Sequence, residues 1–440
     1  MQVIYQLFKI IVKVALWVYF PGTKIKNRER LRFKGPAIVV SNHQNTLLDV
    51  LVCAAYSREQ FHFLANAGLF KSKFGNWFFN TFYCIPVERL LDTNGKPVNN
   101  ASSFARADQH MEKGGTLYIA PEGTSWMKRH LHPLKTGTAR IAFNAESKNS
   151  YQLDLKIIPI GLNYSAHTEF RSRLFVNIGE PLYVRDWQEL YAKDQIQAVR
   201  EITKILEERL RPLMIDTKNE SEDELLKKLE EIIQNSQPVD LEAQFYRSNE
   251  LLESLHNWHI ENELSYNNFA QELNDYFKTL YQYRINDQAV ANASDKSLWW
   301  RILLVMIGLP IFLYGYINNF LPAFLPNLAS WWLVQRKGLY IGYTSTIKIS
   351  LGVITFPLFY WLQSELVEAI FSTPISWWYL LSLPITGLFA IDFQVFIQKT
   401  WQRLRFRMLD QKTSNELQQK RDSVEQELEK RSIFNYKTIV

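Results

Sequence analysis

Beyond Trp299-Trp300 the sequence runs almost without charge. No Asp, Glu, Lys or Arg occurs from Ile302 to Val334, from Ile349 to Ser364, or from Ala369 to Ile391. A helix needs roughly 20 apolar residues to cross a bilayer and tolerates about 17, so these successive stretches point to a membrane. A buried helical core in a soluble protein is the weaker reading, because the stretches follow one another so closely. The first is too long for one helix and carries Asn318-Asn319 and Pro322, which suggests a break. The expectation is therefore about four segments, arranged as two hairpins, over residues 298–400. This count returns Arg336, Lys337 and Lys348 to the side reached by Lys399, Arg403, Arg405 and Arg407, in line with the positive-inside tendency. Residues 401–440 then read as a charged cytoplasmic helical tail. Leu417, Val424 and Leu428 form one stripe on it, suited to self-association.

The N-terminus, residues 1–22, resembles a signal peptide but carries Lys9 and Lys13 in its middle, with no small-residue cleavage site after it. On a helix, Val3, Ile4, Leu7, Ile10, Ile11, Val14 and Val18 define an apolar stripe, and the two lysines share another face. Such a helix suits the membrane surface, with the lysines toward anionic headgroups, and Pro21-Gly22 ends it. Aromatic residues make up 14% of the chain, a load that also fits a membrane interface. The formal charge of +6 is compatible with anionic headgroups or phosphorylated substrates. With only Cys53 and Cys84, a disulfide framework or cysteine-based zinc site is not expected.

Between these membrane-like ends lies an alternating region, residues 30–185. "AIVVS" (37–41), "HFLA" (62–65), "TLYIA" (116–120), "KIIPIG" (156–161) and "LFVNIG" (174–179) read as strands. Residues 99–114 and 135–148 have helical spacing. The alternation predicts an α/β domain with a largely parallel central sheet flanked by helices. No Gly-rich phosphate loop is present, so no nucleotide cofactor is indicated. Residues 186–297 are charged and amphipathic and read as a helical extension. His256 and His259 share a face there, but nothing nearby completes a ligand set, so a solvated face is favoured over a metal site.

Chemistry concentrates in four ordered blocks of the α/β region. The first is "VVSNHQNTLLDVL" (39–51), which sets His43 and Asp49 at a strand-to-helix junction. The second is "CIPVERL" (84–90), in which Arg89 closes an apolar run. The third is "IAPEGTSWMKRHLHPLKTGTARIA" (119–142) and the fourth "IIPIGLNY" (157–164). A neutral imidazole can take a hydroxyl proton near pH 7, and a carboxylate on its other nitrogen fixes the tautomer. Offset six places the two residues on different faces of a regular helix, so Gln44, Asn45 and Thr46 must form a turn. A capped junction with a stray histidine is the bland alternative for this pair, and an ion pair with Glu88 the alternative for Arg89.

In their order and spacing these blocks resemble the glycerolipid acyltransferase family, which includes glycerol-3-phosphate and 1-acylglycerol-3-phosphate acyltransferases. The resemblance covers roughly residues 30–185 and implies catalysis by His43 and Asp49. It implies substrate binding by Arg89, Glu122, Gly123, Thr124 and Ser125. Lys135 and Arg140 are nearby cations that can replace the arginine this family often has where Ser125 stands. The spacer Gln44 to Leu48 is also longer by one residue than the family commonly has. Both departures, with "LHPLKTG", resemble the branch of the family that accepts glycerol-3-phosphate or dihydroxyacetone phosphate, and glycerol-3-phosphate is expected over a lysophospholipid acceptor. The resemblance further implies an acyl-CoA or acyl-carrier-protein donor, no cofactor, no metal and no nucleic-acid partner. The spans after Trp299, with a phosphate acceptor and thioester donor that approach from the cytoplasm, predict an integral membrane protein whose catalytic domain faces the cytoplasm. A membrane-bound lipid or acyl-carrier-protein binding scaffold, and a lipid hydrolase using the same dyad on water, are the rival readings.

Overall fold

The computed structural model describes residues 2–81, 83–88, 100–372 and 377–431. Arg89, one of the expected substrate-binding residues, lies outside them. The chain divides into two units: residues 1–216 with 330–350, and residues 217–329 with 351–440.

The first unit is built on a mixed, mostly parallel sheet. Its strands are β1 (Lys24–Lys26), β2 (Ala37–Ser41), β3 (Phe61–Asn66), β4 (Cys84–Val87), β5 (Thr116–Ile119), β6 (Lys156–Tyr164), β7 (Leu174–Ile178) and β8 (Leu182–Tyr183). The spatial order is β1-β7-β6-β2-β5-β3-β4, with β8 also pairing β6. β7 and β8 run antiparallel to β6, and the remaining pairs are parallel. β2 is buried along its whole length because it has a neighbour on each edge and helices on both faces. Its alternating side chains divide between two cores. Val39 packs with Leu16, Phe20, Leu48, Val52 and Ile160. Ile38 and Val40 pack with Met111, Phe143, Ile157 and Ile202 on the opposite face.

The helices of this unit are α1 (Gln2–Tyr19), α2 (Leu47–Tyr56), α3 (Lys73–Thr81), α4 (Ala101–Glu112), α5 (Gly137–Lys148), α6 (Gln188–Lys193) and α7 (Gln195–Leu210). α7 contributes Ala198, Val199, Ile202 and Leu206 to the second core. The first compact unit thus extends to Asp216, because an amphipathic stripe of α7 covers the sheet. Pro159 is tolerated inside β6 because it falls between the residues paired with β8 and those paired with β7.

α1 departs from expectation in one respect. Lys9 is buried, and its Nζ donates to the Ser57 carbonyl at 2.6 Å instead of facing outward. Burial lowers the Lys9 pKa to about 8. Leu16, Tyr19 and Phe20 fasten the same inner side to the core. Leu7, Ile10, Val14 and Trp17 form the outer side and are 60%, 59%, 56% and 63% exposed, an apolar face left without cover among the described residues.

The second unit is helical: α8 (Glu220–Ser236), α9 (Leu241–Glu261), α10 (Glu263–Tyr283), α11 (Asp287–Ala291), most of α12 (Leu298–Trp331), most of α13 (Thr344–Phe371), α14 (Trp377–Arg407) and α15 (Gln411–Lys430). The stripe Leu417, Val424, Leu428 on α15 is buried within the chain, so the surface expected for self-association is already covered. Arg421 of the same helix forms a buried ion pair with Asp287, whose other oxygen atom accepts from Asn235.

Among the described residues, three helices are long and apolar enough to cross a membrane: Leu298–Arg336, Ile341–Phe371 and Trp377–Arg407. The expected four segments are thus three. Asn318-Asn319 and Pro322 do not break α12, because neighbouring helices satisfy what they disturb. Asn319 Nδ2 donates to the Gly315 and Leu383 carbonyls, and Gln363 Nε2 donates to the Asn318 carbonyl that Pro322 leaves without an N–H partner, while Thr355 Oγ1 donates to the Pro322 carbonyl freed by Pro326. Proline is accommodated this way in membrane helices. Leu304, Ile307, Ile317, Trp361, Leu366 and Ile385 are each at least half exposed on these helices, as lipid-facing positions would be.

Candidate active site

β2 and β5 are adjacent and parallel, and the loops leaving their carboxyl ends make the site. Crevices at this end of a parallel sheet are where α/β folds bind ligands. His43 follows β2, Asp49 lies in the first turn of α2, and Glu122 follows β5.

His43 Nδ1 is 3.0 Å from Asp49 Oδ2. Asp49 is completely buried, and the His43 side chain is 17% exposed. Asp49 Oδ2 also accepts from the Asn45 backbone N–H at 2.8 Å, and Oδ1 accepts from Tyr164 Oη at 2.7 Å. A carboxylate so placed can only accept, which assigns the proton on His43 to Nδ1 and leaves the lone pair on Nε2. Burial beside Asp49 holds the Tyr164 phenol well above its ordinary pKa, so it stays a donor.

The loop carrying His43 is fixed at each residue. Asn42 exchanges two hydrogen bonds with the Leu162 backbone, at 2.9 and 2.7 Å. Gln44 Nε2 donates to the Lys128 carbonyl, and Asn45 Nδ2 to the His167 carbonyl. Thr46 carries φ 46° and ψ −124°, a strained conformation for a β-branched residue. Its N–H donates to Ser125 Oγ at 3.2 Å, and its Oγ1 to the Gly342 carbonyl at 3.2 Å. Strain of this kind persists where surrounding bonds over-determine the backbone. The turn needed to bring Asp49 back to His43 is made here.

Glu122 is 5% exposed and underlies the same loop. Its Oε1 accepts from the His43 N–H at 2.7 Å and its Oε2 from the His132 N–H at 3.2 Å. The carboxylate is thus placed as a brace between the loops that carry His43 and His132. Burial raises its pKa to about 7, against the lowering effect of the two backbone donors.

Gly123 adopts φ +74°, and an added Cβ would meet Lys135 Nζ at 2.9 Å, so Lys135 lies directly over this glycine. The Gly123 N–H is engaged with the Ala120 carbonyl at 3.0 Å. Thr124 and Ser125 are partly exposed beside it. Lys135 and Arg140 are exposed, but only Lys135 comes to the loop. Arg140 stands on α5 and shares no hydrogen bond with the site among the described residues. The structure thus brings together His43, Asp49, Glu122, Gly123, Thr124, Ser125 and Lys135.

Tyr164, Asn42 and Tyr340 were not singled out from sequence. Tyr164 ends the fourth block, and an acceptor-rich dyad with a nearby buried tyrosine is a signal available in principle. Tyr340 carries none, because it lies far along the chain between two apolar helices. Among the described residues no group of His, Cys, Asp and Glu is arranged to hold a metal ion.

Comparison with known proteins agrees with the blocks. The Acyltransferase family model matches residues 22–163, from the end of α1 into β6. Glycerol-3-phosphate O-acyltransferase 1 of Saccharomyces cerevisiae is 34% identical over 96 residues, which is 22% of this chain and 12% of that protein. A probable 1-acyl-sn-glycerol-3-phosphate acyltransferase of Mycoplasma pneumoniae is 26% identical over 173 residues, 38% of this chain and 59% of that protein. The 1-acyl-sn-glycerol-3-phosphate acyltransferase of Bacillus subtilis is 24% identical over 195 residues, 44% of this chain and 88% of that protein. The chain thus spans only 12% and 17% of the two yeast glycerol-3-phosphate O-acyltransferases it matches. The crystal structure of the 1-acyl-sn-glycerophosphate acyltransferase PlsC from Thermotoga maritima aligns with a TM-score of 0.34 at 17% identity, covering 46% of this chain and 78% of that one.

Proposed function

From a chain whose residues 22–163 form an acyltransferase-family domain, we infer an enzyme that moves a fatty acyl group from a thioester to a hydroxyl of a glycerophosphate. The observation that carries this reading is the His43–Asp49 pair, closed at 3.0 Å with no hydrogen bond to Nε2 among the described residues, beside a loop of hydroxyl groups and a lysine. His43 Nε2 takes the acceptor hydroxyl proton as its oxygen attacks the thioester carbonyl. Asp49 stabilises the imidazolium that forms, with Tyr164 and the Asn45 N–H holding the carboxylate in place. Collapse expels the thiolate, which recovers the proton from His43, and no covalent enzyme intermediate is involved. Thr124, Ser125 and Lys135 supply donors to the acceptor phosphate, and Arg89 supplies a forked cation.

Glycerol-3-phosphate is the acceptor we favour, on Ser125 and the longer spacer. The relatives named as 1-acylglycerol-3-phosphate acyltransferases support the lysophospholipid as the second reading. The donor is acyl-CoA or acyl-carrier protein. The exposed apolar face of α1 and the three apolar helices support residence in a membrane. The cytoplasmic side is the one we favour for the catalytic unit, because the thioester donor and the phosphate acceptor approach from there.

The test is purified full-length protein in lipid, offered each acceptor in turn with one labelled acyl donor. The reading expects labelled lysophosphatidate from glycerol-3-phosphate. Label in phosphatidate alone would transfer the assignment to the lysophospholipid. Free fatty acid without acceptor would indicate a hydrolase, and no product at all a binding scaffold.

A further inference from the structure

A cavity of about 190 Å³ lies in the first unit between α1, the turn Arg28–Leu31 and the end of α2. Lys13, Arg28, Arg32 and Arg58 line it, together with Tyr56 and Ser57, and among the described residues no carboxylate does. The four cations are exposed, and none forms an ion pair among the described residues. Glu29 and Glu59, the nearest acids in sequence, are not part of the lining. Arg30, from the same turn, serves the sheet instead, donating to the Ile178 carbonyl at 2.9 Å and pairing with Glu180.

The carbonyl end of α2 does not account for the cluster. A helix C-terminus carries roughly half a negative charge, and the Ser57 carbonyl there is already taken by Lys9 Nζ. Four positive charges around one cavity are therefore left without a counter-charge from the protein, and an anion is the ligand they fit. The three guanidinium groups offer planar forks that match phosphate oxygens. Ser57 Oγ accepts from the Glu59 N–H at 3.1 Å, which leaves the Ser57 proton to give.

The surroundings say where such an anion comes from. Lys13 stands on α1 between the exposed Ile10 and Val14 of the outer side and the buried Lys9 and Leu16 of the inner side. The cavity thus adjoins the exposed apolar face of α1. Cations bordering an apolar helical face are the arrangement that suits an anionic bilayer surface, and a soluble anion has no use for the apolar side.

On the reading of the chain as a membrane protein, and independently of its substrate, we propose that this cavity binds the phosphate of an anionic phospholipid headgroup. It is separate from the acyl-transfer site: Asp49 lies in the first turn of α2 and Tyr56 at its last residue, roughly 10 Å further along the axis. A headgroup seated there holds α1 against the bilayer, and Leu16 of α1 packs with Leu48 and Val52 of the helix that carries Asp49.

The test is native mass spectrometry of the full chain released from nanodiscs of equal phosphatidylglycerol and phosphatidylcholine, beside a thermal melt. The wild-type chain should retain phosphatidylglycerol in preference. Combining Arg28→Gln, Arg32→Gln and Arg58→Gln should cut that retention at least roughly tenfold, with Tm held because all three side chains are exposed. Lys13→Gln alone should lower it roughly threefold to fivefold, and it decides the matter should the triple variant melt early. Lys193→Gln, Arg200→Gln and Lys204→Gln together remove the same charge from exposed positions of α6 and α7 and should retain the lipid as wild type does. Equal retention of both lipids by the wild-type chain, retention unchanged in the cavity variants, or equal loss in the two triple variants would overturn the proposal. Inorganic phosphate titrated into the chain in phosphatidylcholine nanodiscs separates the other source. Phosphate binding that needs the three arginines, without any lipid preference, would make this a site for a soluble anion and overturn the headgroup assignment. Carbonate washing reports membrane residence separately.

Discussion

Replacing Asp49 by asparagine removes a charge while keeping every heavy atom in position. Asp49 accepts three hydrogen bonds: from the His43 ring and the Asn45 N–H at Oδ2, and from Tyr164 Oη at Oδ1. An amide has one acceptor oxygen and one donor nitrogen. Two donors converge on the Oδ2 position, so the amide oxygen must sit there and its NH2 must face Tyr164. A phenol oxygen can accept as well as donate, so this orientation is satisfied and the His43 proton stays on Nδ1. The variant thus isolates electrostatics from tautomer control. Two unit charges about 3 Å apart interact by roughly 5 kcal/mol at an effective dielectric near 20. Some of that is offset, because a neutral imidazole in the ground state also bonds a carboxylate better than an amide, by roughly 2 kcal/mol. The net loss of about 3 kcal/mol in the transition state corresponds to roughly a hundredfold in kcat. Stability should not fall with it, since the substitution removes a fully buried charge. The assay is steady-state acyl transfer beside a thermal melt. A variant within tenfold of wild type in kcat would refute the role given to the carboxylate. A collapse in Tm would show that the charge serves the fold.

Two further outcomes follow from the same geometry. Burial raises the Glu122 pKa to about 7, above its value of 4.5 in an unfolded chain, so the folded state binds the proton more tightly. That contribution is complete below pH 4.5 and is lost as pH rises through about 7, and Glu122→Gln should flatten the fall measured by denaturation across this window. Carbonate and high-salt washes should leave the full chain in the membrane pellet, because the three apolar helices keep lipid-facing surfaces. Release into the supernatant would contradict membrane insertion.

The parts legible in the sequence were those whose physics is local. β-branched runs such as residues 37–41 have a hydrophobic period that marks a buried strand, and the Gln-Asn-Thr turn after His43 was implied by the need to bring Asp49 back. Long-range satisfaction of polar groups was not legible. Asn318-Asn319 and Pro322 look like helix breakers until the Leu383 carbonyl receives the Asn319 amide and Gln363 donates to the carbonyl that Pro322 frees. Lys9 looked like a headgroup anchor because a helical wheel does not say which of two apolar sides meets the protein; the Ser57 carbonyl settled it. Glu122 was recognised as a site residue, but its two backbone donors, which make it a brace, come from loops that a linear reading cannot join. The seating of Tyr340 on the Ser125 loop is the extreme case, a contact across 213 residues.

The central claim is that His43 acts as the base in acyl transfer to a glycerophosphate, and the most direct measurement is single-turnover transfer by His43→Ala. Full-length protein in lipid, loaded with labelled acyl donor and saturating acceptor, should lose at least roughly a hundredfold in rate while glycerol-3-phosphate still binds, since general-base catalysis is typically worth that much. A near-normal rate in this variant would contradict the account, because no other group in the described site is oriented by a buried carboxylate to take the hydroxyl proton.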